Sequence, residues 1–132
     1  MDKVLTPFVI NEFYYCDSDG KTEYVWNKDK LEITEETPVI KNITFKNMVC
    51  KNSEVCAGFM YGLPERKIER VVLENLTIDF AEDPRRDIPA MMDFIDSQSR
   101  GGFYFNNIKD LEIKNLTVKN AEGEEIIRNN VE

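Results

Sequence analysis

Histidine, the side chain used most often for acid–base catalysis near neutral pH, is missing from the 132 residues of this chain. Its absence excludes Ser-His-Asp and Cys-His catalytic triads, and also zinc sites with imidazole ligands. Catalysis by these residues alone would have to use carboxylates, thiols, lysines or tyrosines.

Carboxylates are abundant, and several close pairs could be taken for a catalytic acid and base: Asp17 with Asp19, Glu35 with Glu36, Glu82 with Asp83, Asp93 with Asp96, and Glu124 with Glu125. Glycoside hydrolysis needs two carboxyl groups about 5 to 9.5 Å apart across a cleft, and adjacent strand residues point to opposite faces. Only Asp17 and Asp19 have the spacing of residues on one face. The run from Asp17 to Gly20 also has the composition of a turn, which we prefer. We therefore predict no catalytic residue.

The same run could be taken for the start of a calcium-binding EF-hand loop. Its glycine stands at the fourth position, where such a loop has it at the sixth, and Lys28 stands at the twelfth, where a carboxylate is needed. We predict no metal site and no cofactor.

The cysteines Cys16, Cys50 and Cys56 are too few, and odd in number, for a disulfide framework. A disulfide between Cys50 and Cys56 is geometrically conceivable across a short turn, but we interpret both as buried free thiols because no activating partner is near them in sequence. The acids Asp2 and Glu12 flank the short apolar run at the N-terminus, so no secretory signal is recognisable. These features predict a reducing, cytoplasmic location.

The net charge of −8 is the strongest compositional argument about partners. A negative chain repels phosphate backbones and anionic lipid surfaces. In addition, no apolar stretch approaches the length of about 18 residues that a membrane span needs. We expect neither nucleic acid nor a membrane as a partner.

One alternating pattern occurs three times, in residues 40–48, 68–78 and 108–118. Apolar and polar side chains largely alternate in each copy, which is the period of a half-buried strand. The same position of the three copies is occupied by Asn47, Asn75 and Asn115. Stacked copies would bring these amides together as a hydrogen-bonded ladder.

A second, aromatic segment precedes the later copies, at residues 57–62 and 101–106. Residues 125–131 look like the first strand of one more repeat, and residues 83–99 look like a loop between two repeats. Strands at this spacing, without long helical patterns between them, predict an all-β fold, a parallel β-helix of about three to four coils. Residues 1–132 would form one module. An antiparallel β-sandwich with similar strands is the alternative.

The order of five segments resembles the last coils of glycoside hydrolase family 28, the polygalacturonase family: residues 40–47, 62–65, 68–78, 89–92 and 102–109. Residues 6–10 also fit a family strand. The resemblance implies a right-handed parallel β-helix. It further implies a parent enzyme that hydrolyses pectin-type polysaccharides or oligosaccharides with inversion.

The four catalytic segments of that family, Asn-Thr-Asp, Asp-Asp, Gly-His-Gly and Arg-Ile-Lys, are absent from this chain. In the family they precede the strand that residues 8–10 resemble. The resemblance therefore implies the C-terminal coils of such an enzyme, truncated at the N-terminal side, and we expect the isolated chain to be inactive.

One residue of the resemblance could contact sugar. The family places a tyrosine near the substrate shortly after the strand that residues 8–10 resemble, and Tyr14 has this position. The adjacent Tyr15 is an alternative, and a structural role for Tyr14 in the wall of the fold stays open.

A different class of function is an assembly module. An open solenoid end exposes strand edges and core side chains, here in residues 4–5 and 8–10, which would favour a homo-oligomer or a complex with a partner chain. A third hypothesis is a carbohydrate-binding module whose stacking rings are Tyr14, Tyr15, Phe59 and Tyr61.

Overall fold

A computed structural model describes residues 1–16 and 18–132. Asp17, the first residue of the predicted turn, lies outside the described residues. The strands of the described chain are β1 (Phe8–Asn11), β2 (Lys41–Ser53), β3 (Cys56–Tyr61), β4 (Glu69–Phe80), β5 (Gly101–Ile108), β6 (Leu111–Lys119) and β7 (Ile126–Val131). A 3₁₀ turn (Asp19–Lys21) and one short helix, α1 (Glu23–Trp26), lie between β1 and β2.

The strands form two sheets in which every neighbouring pair is parallel. One sheet has the order β1-β3-β5-β7 and the other has the order β2-β4-β6. Successive strands of the chain therefore alternate between the two sheets. This arrangement confirms an all-β fold with parallel sheets and excludes the antiparallel sandwich.

The sequence repeats correspond to strands that pair in register. The three alternating copies become β2, β4 and β6, with Phe45 opposite Leu73 and Leu73 opposite Ile113. The aromatic segments become β3 and β5, where Phe59 lies opposite Tyr104. The predicted last strand is also present, because β7 pairs with β5.

The repeated asparagines have a left-handed backbone and form the predicted ladder. Their φ angles are 56° at Asn47, 55° at Asn75 and 54° at Asn115. The side chain of Asn75 donates to Asn47 at 2.8 Å, and that of Asn115 donates to Asn75 at 2.9 Å. Asparagine is among the few residues that adopt this conformation readily.

The left-handed residue shifts the alternation of each strand by one position. In β4, Leu73 and Leu76 are both buried although they are three residues apart, because Asn75 turns the chain between them. A regular strand would place one of these leucines on the solvent face. The burial of both leucines therefore depends on the left-handed conformation of Asn75.

The main core lies between the two sheets. The four-stranded sheet contributes Phe8, Met60, Phe103 and Phe105, and the other sheet contributes residues of β4 such as Leu73. The rings of Phe8 and Phe103 stack at 5.8 Å across Gly58, where a Cβ atom would overlap the ring of Phe103.

The loop predicted at residues 83–99 covers the outer face of the four-stranded sheet. Asp87 and Gln98 form an antiparallel bridge within it, and Ala90 and Met92 are buried against Phe59 in a second hydrophobic cluster. The loop thus closes a surface that would otherwise expose aromatic side chains.

We predict that Asn75→Ala lowers the free energy of unfolding by about 2 kcal/mol, because alanine loses two net hydrogen bonds and disfavours a left-handed backbone. Asn75→Gly also removes the ladder bonds but tolerates the backbone angle. Urea unfolding should therefore rank the glycine variant above the alanine variant. Equal stability of the two variants would contradict the role assigned to the backbone angle.

Candidate functional site

The candidate site lies where β1 and β3 end side by side. The backbone N–H of Glu12 donates to the carbonyl of Tyr61 at 3.1 Å, which extends the strand pairing by one step. The chain then turns, because the carboxamide of Asn11 accepts from the N–H of Phe13 at 2.8 Å and donates to the carbonyl of Met91 at 2.9 Å. This Asx turn fixes the segment that carries Tyr14.

A cavity of about 160 Å³ opens beside this turn. Its lining includes Glu12, Tyr14, Tyr24, Leu31, Pro38 and Glu65. The tyrosines are largely exposed, with 51% of Tyr14 and 70% of Tyr24 accessible to solvent. Aromatic and aliphatic walls with a few polar groups are typical of small-molecule sites.

Glu12 is the side chain whose protonation is most altered in this cavity. The pKa of Glu12 is raised to about 7, mainly because the carboxyl group is buried; the hydrogen bond from the backbone N–H of Leu63 lowers the pKa, and the nearby charge of Glu65 raises it by a smaller amount. That N–H lies 3.1 Å from Oε2 of Glu12. Near neutral pH this carboxyl group therefore exists in both protonation states.

Two carboxyl oxygens of the cavity have unused hydrogen-bonding capacity. Oε1 of Glu12 and Oε2 of Glu65 are buried, and neither has a hydrogen-bond partner within the described part of the chain. Buried polar atoms are nearly always paired, so these two oxygens favour a ligand or water that donates to them. The protonated form of Glu12 can also donate a hydrogen bond itself.

The tyrosine predicted from the family resemblance lines this cavity, whereas its neighbour does not. The backbone N–H of Tyr15 donates to the carbonyl of Met91 at 3.2 Å, and its side chain lines a different depression, shared with Cys16 and Lys21. The structure thus brings Tyr14 together with Glu12 and Glu65 and separates Tyr15 from them.

The hypothesis that Phe59 is an exposed stacking ring is wrong. Phe59 is 2% exposed, and its ring stacks at 5.2 Å on Tyr104 beneath the covering loop. Tyr61 is half-buried and contacts the same group of rings. Phe59 is therefore a buried residue of the wall, whereas the partly exposed Tyr61 lines a separate cavity of about 190 Å³ together with Tyr104 and Lys28.

Sequence reasoning missed Glu12 and Glu65, because it considered only acids that are close in sequence. The repeat itself contained the relevant signal. Asn11 pairs with Tyr61 in the parallel register, so the residues after these two strands meet at one edge. An alignment of the two strand ends would have placed Glu12 beside the Gly62 to Glu65 segment.

The cysteines and the possible metal ligands in the described part of the chain provide no second candidate site. Cys50 and Cys56 are buried free thiols, as predicted, and burial raises the pKa of Cys56 to about 12. Within residues 1–16 and 18–132, no group of three or more acidic or cysteine side chains is placed to hold a metal ion. No helix in that same part of the chain has the length and apolar character to cross a membrane.

Comparison of the chain with protein-family models, with curated proteins and with solved structures returns no match. The resemblance to glycoside hydrolase family 28 is supported by none of these comparisons and stays a prediction from the sequence segments given above. The function of the site has to be argued from its own geometry.

The pKa of Glu12 predicts how stability depends on pH. The folded protein keeps this proton up to a pKa of about 7, whereas an ordinary glutamate has a pKa of 4.5. Stability should therefore be lost as the pH rises from about 5 to about 8, and Glu12→Gln should weaken this dependence. Urea midpoints of both proteins at the two pH values provide the measurement. An unchanged pH dependence in the variant would show that Glu12 is not the titrating group.

Proposed function

We propose that this chain is a saccharide-binding β-helix module of the polygalacturonase type, which binds its ligand at the Tyr14 cavity and does not hydrolyse it alone. The parent enzyme would hydrolyse pectin-type polysaccharide, as the family resemblance implies. In this proposal the two sheets are faces of a right-handed parallel β-helix.

The helical architecture is supported by the strand order. Each strand is followed along the chain by a strand of the other sheet, and each returns to a parallel neighbour of its own sheet. Crossover connections between parallel strands of one sheet are right-handed in nearly all proteins. The in-register asparagine ladder supports the same stacking of repeats.

The observation that carries the binding proposal is the combination of tyrosine rings and carboxyl oxygens in one cavity. A sugar ring presents C–H groups on its faces and hydroxyl groups around its rim. The exposed rings of Tyr14 and Tyr24 can contact such a face, and the two buried oxygens of Glu12 and Glu65 can accept from hydroxyls. Both kinds of contact are available in the same small volume.

The charges of the site predict which pectin fragment binds better. The chain has a net charge of −8, and three carboxyl groups line the cavity, those of Glu12, Asp29 and Glu65. A methyl-esterified oligogalacturonide, which is neutral, avoids the repulsion that a free uronate meets. Protonation of Glu12 below its pKa of about 7 reduces this repulsion. The preference for the ester should therefore be larger at alkaline pH.

Calorimetric titration with methyl-esterified trigalacturonate tests the site. We expect measurable binding to the unaltered chain and a loss of at least about tenfold in affinity for Tyr14→Ala, because the ring contact is removed. Tyr15→Ala is the matched control and should retain the affinity. Equal affinity of the Tyr14 variant and the unaltered chain would refute the site.

The proposal also predicts that the isolated chain releases no reducing sugar from polygalacturonate or its esters. The family's catalytic segments are absent, although the pKa of Glu12 would suit a proton donor. A reducing-end assay is the measurement. Release of reducing sugar by the unaltered chain that disappears in Glu12→Gln would show that the chain is catalytic. That result would contradict the proposed lack of hydrolysis, but it would not contradict binding at the Tyr14 cavity.

The second candidate function, an assembly module, is favoured by a separate observation. Within the described chain, β2 and β6 are the outer strands of the three-stranded sheet, and each pairs on one side with β4. Such edges offer backbone hydrogen-bonding groups to another chain. Association through an open end of the module would use this surface.

A further inference from the structure

The three-stranded sheet carries rows of charged residues with one common spacing. Lysines occupy positions 41, 46 and 51 in β2, and lysines again occupy positions 109, 114 and 119 at β6. Between them, β4 carries Glu69, Glu74 and Asp79. Each row has its charges five residues apart.

Parallel pairing aligns these rows across the sheet. Lys41 lies opposite Glu69, and Nζ of Lys46 is 3.0 Å from Oε1 of Glu74. On the other side of β4, Lys114 lies opposite Glu74. At these positions the charges therefore alternate in sign from strand to strand. Arg70 of β4 has the opposite polarity and pairs with Asp110 and Glu112 on the β6 side, so β2 is the outer strand whose charges are all positive. Opposite charges on directly facing strand residues stabilise a pairing, and like charges destabilise it.

One lysine of β2 already has an acidic neighbour on its outer side. Asp2 forms a parallel bridge with Lys51, and Lys51 exchanges backbone hydrogen bonds with Met1 and Lys3 at 3.0 Å. The carboxylate of Asp2 also accepts from the side chain of Asn52 at 2.9 Å. The N-terminal segment thus continues the alternation by placing an acid beyond the third lysine.

The rest of the outer edge of β2 is open. Within the described chain, no strand pairs with the outer side of residues 41–48, and the terminal amine of Met1 reaches only as far as the carbonyl of Val49. Phe45 and Met48 on this stretch pack against the core but are only partly buried. A further strand would cover their exposed parts and satisfy the edge backbone.

We infer that residues 41–48 of β2 bind an extended acidic segment of a separate protein, which adds in parallel as a new strand. Its acidic side chains lie five residues apart, opposite Lys41 and Lys46. Backbone hydrogen bonds provide the affinity, and the two charge pairs select the partner and its register. This surface is distinct from the Tyr14 cavity.

A second copy of this chain does not fit the same edge. Stacked head to tail, it would place Lys109 and Lys114 against Lys41 and Lys46. Two β2 edges facing each other would bring together two strands that each carry three lysines and no acid. At the end of the other sheet, Arg128 of β7 occupies the column of core residues that contains Phe105, and it is exposed. Charges at such positions discourage stacking of copies.

The chain contains a suitable probe, because its own β4 sequence pairs in parallel with β2. A capped peptide of residues 68–76 carries Glu69 and Glu74 at the required spacing. We expect this peptide, labelled for fluorescence polarisation, to bind the folded protein. The control peptide carries Glu69→Lys and Glu74→Lys, and it should bind at least about tenfold more weakly.

Variants of the protein locate the edge. Lys41→Glu with Lys46→Glu should reverse the preference between the two peptides. The matched control, Lys109→Glu with Lys114→Glu, makes the same change of net charge on the other edge and should keep the preference. If the first variant does not fold, as judged by circular dichroism, Lys41→Gln with Lys46→Gln should abolish the preference without reversing it.

Several results would overturn the inference. Equal binding of the two peptides, an unchanged preference in both β2 variants, or an equal loss in the β6 control would each do so. Light scattering provides the last test. The unaltered protein should be monomeric without peptide, and a concentration-dependent oligomer that disappears in a β2 variant would identify a second copy as the occupant.

Discussion

In-register parallel pairing is the constraint on which the other features of this protein depend. It stacks Asn47, Asn75 and Asn115 into a ladder and aligns charges of opposite sign along β2, β4 and β6. It also brings the ends of β1 and β3 together, which places Glu12 beside the segment that contains Glu65. A shift of one residue would reverse the faces of a strand. It would remove the asparagine ladder, the alignment of opposite charges and the proximity of Glu12 to Glu65.

The left-handed asparagines connect this pairing to the core. Each allows one strand to bury side chains on both sides of a local turn, as Leu73 and Leu76 do in β4. The ladder then joins the turns of adjacent strands. The same residue type therefore serves backbone conformation, core packing and strand alignment, which explains why it recurs at one position of the repeat.

The all-β fold with parallel sheets was predictable from the sequence, and the candidate site was predictable only in part. Periodic residues such as Phe45, Leu73 and Ile113 indicate strands and their alignment, because burial imposes an alternating pattern. Tyr14, which lines the candidate cavity, was predicted through a family resemblance. Glu12 and Glu65 were not found, because their proximity depends on a pairing between distant strands. The hypothesis of a stacking role for Phe59 was wrong because alternation does not show that a loop covers the outer face of the sheet.

The central claim is that parallel pairing builds a saccharide site at the ends of β1 and β3. The most direct measurement is a crystal structure of the chain with methyl-esterified trigalacturonate. The account predicts a sugar ring against Tyr14 with a hydroxyl group within hydrogen-bonding distance of the Glu12 carboxyl group. A ligand bound elsewhere with this cavity empty, or strands β1 and β3 that are not paired, would contradict it.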